Sequence, residues 1–162
     1  MVCMFGPVLR LTRPLVNCSP MPQHEEAGVC LEAWHGCIRN EDDVARAVHQ
    51  CRRCCLELGS SMNQAFLVAT AMSELARNAL YHAGGGKAVI RCRTQPSAMI
   101  ELEVCDRGPG IKDLEKAFSE GYSTRGTLGL GLPSVKRIMD RVMIENRPQG
   151  GVRVIAWKQL NC

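Results

Sequence analysis

The chain has 162 residues, 46% of them hydrophobic and 22% charged, and carries a net charge of +4. That length and balance describe one globular domain with a core of its own. They exclude two classes: no apolar run approaches the roughly 18 residues of a membrane span, and the basic residues form pairs rather than the concentrated face with stacking aromatics that nucleic acid requires.

Residues 1–27 hold four prolines and little periodicity. Pro7, Arg10, Arg13 and Pro14 interrupt any apolar stretch a signal peptide would need, so the segment reads as a flexible leader or a misassigned start, with the domain over residues 28–162. Residues 29–37, VCLEAWHGC, are apolar and suit a first strand. Asn40 can cap a helix over 41–58, with Asp42 and Asp43 in its first turn and Gly59 ending it. Ten cysteines are many for this length, and Cys51-Arg-Arg-Cys54-Cys55 raises the question of zinc. Val44, Ala47, Val48, Cys51, Cys54, Cys55 and Leu58 recur at three- and four-residue steps, however, which is one helix face. No second Cys-x-x-Cys completes four ligands. Packing as small apolar residues is the favoured reading, in a reducing cytoplasm.

A second helix over 62–82 stops at Gly84-Gly85-Gly86. Strands over 88–94 and 99–106 follow, separated by a Gln-Pro-Ser turn. In the second of these, Ile100, Leu102, Val104 and Asp106 point to one face, and Glu101 and Glu103 to the other. A short helix over 112–119 precedes the glycine-rich stretch GYSTRGTLGLGLPSV, residues 121–135. A helix with Pro133 at its first position then runs to about residue 140. The strands RVMIENR and VRVIAWK, joined by Pro-Gln-Gly-Gly, come last. Strands joined by short turns are antiparallel. The expected fold is therefore α+β, a two-layer α/β sandwich with a mostly antiparallel sheet and helices on one face.

Three features carry chemistry. The glycine-rich stretch fails as a Walker A loop, because Thr127 stands where the lysine belongs, and fails as a dinucleotide loop by its element order. What remains is Gly126, Gly129 and Gly131 leading into a helix whose free N–H groups and dipole suit an anion. Residues 121–128 would close over a ligand, or form a plain flexible loop. Glu74 and Asn78, four apart, share a helix face with Leu67, Ala71 and Ala79. They are an exposed edge, a satisfied buried pair, or a working pair in which the amide oxygen suits Mg2+ and the carboxylate accepts a proton. Asp106-Arg-Gly108-Pro-Gly110 is either a turn after a strand or an acceptor for an amino group, such as that of adenine, lying against glycine backbone. Each is weak alone, but all three fall in one layer between helices and sheet.

Glu74-Leu-Ala-Arg-Asn78, Asp106-x-Gly108-x-Gly110 and Gly129-Leu-Gly131-Leu resemble, in order, the N, G1 and G2 boxes of the GHKL (histidine kinase-like) ATPases. SELARNAL, DRGPGI and GYSTRGTLGLGLPSVKRIMD are similar to the anti-sigma and stressosome serine kinases, of the RsbT switch-kinase type. The likeness covers residues 28–160. It implies the Bergerat ATP-binding fold, ATP and Mg2+, and transfer of the γ-phosphoryl group to a serine of a STAS-domain antagonist by a partner-switching regulator. On this resemblance Asn78 holds Mg2+, Glu74 is the base for the serine hydroxyl, and Asp106 binds the adenine amino group, with Gly108 and Gly110 allowing close approach. Residues 121–128, including Thr124, Arg125 and Gly126, form the lid over ATP. Gly129, Leu130 and Gly131 offer N–H groups to the phosphates, which His82 also approaches. Val152 stands where the family often has a threonine, which lowers the expected nucleotide affinity. The implied partners are the STAS protein and a PP2C-type phosphatase or a sigma factor, with no nucleic acid and no membrane. The alternative is a non-catalytic, nucleotide-gated anti-sigma factor that sequesters a sigma factor. A histidine kinase fragment fits less well, since no dimerising helix with a phospho-acceptor histidine lies upstream.

Overall fold

A computed structural model describes residues 31–112 and 131–161. The predicted helix beyond Lys112 and the stretch 121–130, with Thr124, Arg125, Gly126, Gly129 and Leu130, lie outside them. The elements in chain order are β1 (Leu31–Ile38), α1 (Glu41–Glu57), α2 (Met62–Ala83), β2 (Gly86–Arg93), β3 (Met99–Asp106), α3 (Gly131–Ile138), β4 (Arg141–Asn146) and β5 (Val152–Gln159). The five strands form one sheet in the order β1-β2-β3-β5-β4, every neighbouring pair antiparallel.

The helices begin and end where local chemistry directs. The Asn40 side chain accepts from the Asp43 amide at 2.9 Å, satisfying one of the free donors of the first turn of α1. Asp43 is itself buried and ion-paired to Arg39 and Arg46. Gly59, at φ 87°, follows the C-terminal cap of α1. Ser61 caps α2 by accepting from the Gln64 amide at 3.2 Å. Gly84, at φ 71°, ends α2 in the left-handed conformation that a β-carbon disfavours. β2 then starts at Gly86, two residues earlier than its composition suggests, so only Gly84 and Gly85 connect helix to strand. That tight link requires glycine at 85, where a Cβ would lie 2.4 Å from the Ile38 carbonyl oxygen.

The core lies between the helices and one face of the sheet. Ile90, Ile100, Leu102, Val104 and Ala156 of the strands meet Val44, Ala47, Val68, Met72, Leu75 and Ala76 of the helices. Removing the side chain of a residue such as Leu102 beyond Cβ would cost about 2–5 kcal/mol, through lost burial and the cavity left behind. Cys51, Cys54 and Cys55 lie on the buried stripe of α1 with Val44 and Ala47, where they pack as small apolar groups. Among the described residues no three His, Cys, Asp or Glu side chains are grouped to hold a metal.

Two expectations change. Leu67 does not join the apolar surroundings of Glu74: it is half exposed, while Ala71 and Ala79 are buried. Helix α3 already includes Gly131, so Pro133 is not at its first position. Proline is tolerated there because the first-turn N–H groups of a helix have no partner within it.

On the far face of the sheet Glu101 and Glu103 are both buried. The Arg91 guanidinium bridges them, at 2.5 Å to Glu101 and 2.6 Å to Glu103. Arg153 meets Glu103 at 2.6 Å and Glu145 at 3.1 Å, and the Trp157 indole N–H donates to Glu101 at 2.7 Å. A buried carboxylate is sustained only by such pairing.

Candidate functional site

The site has two ends, one on α2 and α3 and the other at the tips of β3, β4 and β5. At the first, α2 carries Glu74 and Asn78 on one face, both half-buried, and His82 at its exposed last turn. The start of α3 lies against this face. A Cβ on Gly131 would sit 3.2 Å from Asn78 Nδ2, 3.3 Å from Asn78 Oδ1 and 3.4 Å from Glu74 Oε2. Glycine is what allows the N-terminal end of α3, the positive end of its dipole, to lie this close to both side chains. Among the described residues neither Glu74 nor Asn78 has a hydrogen-bond partner. The arrangement thus offers a carboxylate that can take a proton, a hard amide oxygen, and backbone donors suited to an anion.

The second end is built around Asp106, the last residue of β3. Its Oδ1 accepts from the Gly108 amide at 2.8 Å and from the Val152 amide at 3.0 Å. Its Oδ2 meets no donor among the described residues. One carboxylate oxygen therefore fixes the side chain while the other stays available to an amino group. Three close approaches shape the surroundings. Gly108 packs on the end of α2, where a Cβ would come within 2.7 Å of Ala83 Cβ. Gly151, at φ 91°, passes so near that a Cβ would meet the Asp106 carbonyl oxygen at 2.1 Å. The Arg147 guanidinium also donates to that oxygen, at 3.2 Å.

Beyond Gly108 the chain is held by Asn146, the last residue of β4. Its Oδ1 accepts from the Ile111 amide at 2.8 Å, and its Nδ2 donates to the Ile111 carbonyl at 2.9 Å. Gly110, at φ 81°, lies beneath this amide, and a Cβ there would come 2.9 Å from Asn146 Oδ1. Nearby on the far face of the sheet, burial pushes the Cys105 thiol up to about 11, with the Glu103 charge adding to the effect.

The structure thus brings Glu74, Asn78 and Gly131 together, and separately groups Asp106, Gly108 and Gly110. It leaves His82 exposed one turn beyond Asn78. Sequence reasoning missed Asn146, Arg147 and the close approach of Gly151. It singled out Val152, after the Gly150-Gly151 doublet, for a lost side-chain contact, whereas the structure uses its backbone amide.

A family model described as a histidine kinase-like ATPase domain matches residues 39–157. The chain is 36% identical over 127 residues to serine/threonine-protein kinase RsbT of Bacillus subtilis (strain 168), a match covering 76% of this chain and 96% of that protein. It is 30% identical over 108 residues to an anti-sigma F factor of Clostridium acetobutylicum, covering 64% and 76% respectively. Among solved structures, the catalytic domain of histidine kinase ThkA superposes with a TM-score of 0.50 at 19% identity, covering 78% of this chain and 98% of that one. That likeness bears on the fold alone.

Proposed function

The chain belongs to the histidine kinase-like ATPase family, and from that premise we propose that it is a serine/threonine kinase that transfers the γ-phosphoryl group of ATP to a serine of a STAS-domain partner. The observation that carries this reading is the meeting of Glu74 and Asn78 with Gly131 at the start of α3. A carboxylate without a hydrogen-bond partner among the described residues, beside a hard amide oxygen and a helix N-terminus, suits phosphoryl transfer, which is mostly positioning and charge stabilisation.

Each residue has a role on this reading. Asp106 Oδ2 accepts from the adenine amino group while Gly108 lets the base lie close to the backbone. Asn78 would hold Mg2+, and the bound Mg-ATP would supply the phosphoryl group and neutralise charge on it. Gly131 turns backbone N–H groups toward the phosphates, and Glu74 takes the proton from the attacking serine hydroxyl. Thr124, Arg125, Gly126, Gly129 and Leu130 complete the phosphate end by sequence resemblance, and His82 approaches it from α2. The protein acts in the cytoplasm as a partner-switching regulator, released from its substrate to engage a PP2C-type phosphatase.

The test is to incubate the protein with Mg-ATP and the STAS-domain proteins encoded beside its gene. The expected result is a phosphoserine on one of them. Tight nucleotide binding without labelling of any would overturn the kinase reading. The anti-sigma F factor relative supports a second reading, a nucleotide-gated binder of a sigma factor. Capture of a sigma factor that is unaffected by Glu74→Gln would favour it, since a binder needs no base.

A further inference from the structure

We propose that Asn146 is a positioning residue for base recognition, acting through the Gly110–Ile111 segment; this rests on the reading of Asp106 as the adenine acceptor. The side chain of Asn146 satisfies both the N–H and the C=O of Ile111, at 2.8 and 2.9 Å, as a neighbouring strand would. Pairing of β4 with β5 ends at Asn146↔Val152, and the Val152 amide donates to Asp106 Oδ1. One rung of the sheet therefore does two things. The Val152 side orients the carboxylate, and the Asn146 side holds the chain that follows it.

Residues 107–111 are consequently closed at both ends. At one end Asp106 Oδ1 binds the Gly108 amide, and at the other the Asn146 amide grips Ile111. Between them Gly108 and Gly110 carry no side chain of their own. The positive φ of Gly110 and the 2.9 Å approach of its absent Cβ to Asn146 Oδ1 add a reason for glycine there. The residue must pass under the clamp, whatever lies on its other side. Releasing the clamp lets residues 110–111 drift, and a base lying against them loses its alignment with Asp106 Oδ2. A neutral amide is suited to the task, because it donates and accepts at once. Aspartate at the same position could accept from Ile111 but would turn a second oxygen on its carbonyl.

The experiment compares ADP with IDP, whose base carries a carbonyl where adenine has its amino group. Calorimetric dissociation constants are measured for wild type, Asn146→Ala and Asn146→Asp, with melting temperatures by circular dichroism. Wild type should prefer ADP. In Asn146→Ala, ADP should weaken by about tenfold, as expected for a misaligned amino–carboxylate hydrogen bond, while IDP, which never made that bond, changes far less. The preference for ADP should collapse accordingly, with Asn146→Asp also impaired. An ADP-to-IDP ratio unchanged from wild type in folded Asn146→Ala would overturn the proposal, because a purely structural role weakens both nucleotides alike. Wild type with no preference for ADP would overturn both this inference and the adenine role of Asp106. Wild type with the preference and a variant that keeps it overturns this inference alone.

Discussion

The two ends of the site are built on opposite plans. At the base end the polar groups hold one another: Asp106 Oδ1 accepts from two amides, its carbonyl receives Arg147, and Asn146 takes both backbone groups of Ile111. At the phosphate end, Glu74 and Asn78 stand side by side against Gly131 with no hydrogen bond among the described residues. The base end is a rigid mould whose shape is set by sheet geometry. On the proposed reading, the phosphate end is a set of side chains on a helix face whose partners arrive with the ligand. Preorganised donors and acceptors give selectivity without reorganisation cost, whereas side chains that must meet a moving phosphoryl group have to remain uncommitted.

That contrast can be broken by substitution at the phosphate end first. Asn78→Ala removes the amide oxygen that would anchor the metal, so calorimetry should find neither Mg-nucleotide binding nor transfer, the largest effect expected. Glu74→Gln keeps the shape and removes the base. Transfer to the proposed STAS-domain substrate should fall about 10²–10⁴-fold, the usual contribution of a general base, with ADP affinity retained. Equal loss of affinity in both variants would show that the two side chains form one binding unit and that the assigned roles are wrong.

At the base end the expected damage is structural before it is chemical. Gly151→Ala places a Cβ 2.1 Å from a backbone oxygen at a φ of 91°, and neither partner can move without opening the β4–β5 turn. A loss of about 1–3 kcal/mol in denaturant unfolding is expected from the backbone conformation alone, with ADP binding weakened alongside it. Unchanged stability would mean that the mould is softer than its contacts indicate.

The smallest effect concerns the strand behind the mould. Burial pushes the Glu103 carboxyl up, but hydrogen bonds from Arg153 and Arg91 outweigh this and hold it below its ordinary value of 4.5. A depressed folded value stabilises the protein above the unfolded value and ceases to do so as pH falls through the folded one. Melting temperature should therefore drop on acidification below about pH 4.5, and Glu103→Gln should flatten that part of the profile. A variant with the same acid dependence as wild type would assign the effect to other carboxylates.

Much of this is legible in the sequence. Glu74 and Asn78 share a face because four residues nearly complete a helical turn, and Asp106 joins Ile100, Leu102 and Val104 because strand side chains alternate. The caps at Asn40 and Gly84 follow equally local rules, as does the one at Ser61 that the sequence reading did not single out. Leu67 shows where such reasoning stops: periodicity says which residues share a stripe, but not how much of the stripe a neighbour covers. Glu101 and Glu103 show the same limit from the other side. Alternation sends them away from the helices, yet nothing local reveals that Arg91, Arg153 and Trp157 bury and pair them.

The sequence by itself determined the order of the elements, the face each functional side chain occupies and the glycines that thin the backbone, since all of these depend on residues within a turn or two of each other. The tertiary structure alone decided that Val152 orients Asp106, that Asn146 clamps Ile111, that Gly151 abuts the end of β3 and that Gly131 rests on Asn78. Those contacts join residues 35–53 positions apart. The first three exist because antiparallel pairing brings strand tips to one end of the sheet, where a single rung of register fixes which amide meets which oxygen, and the last because α3 packs on α2.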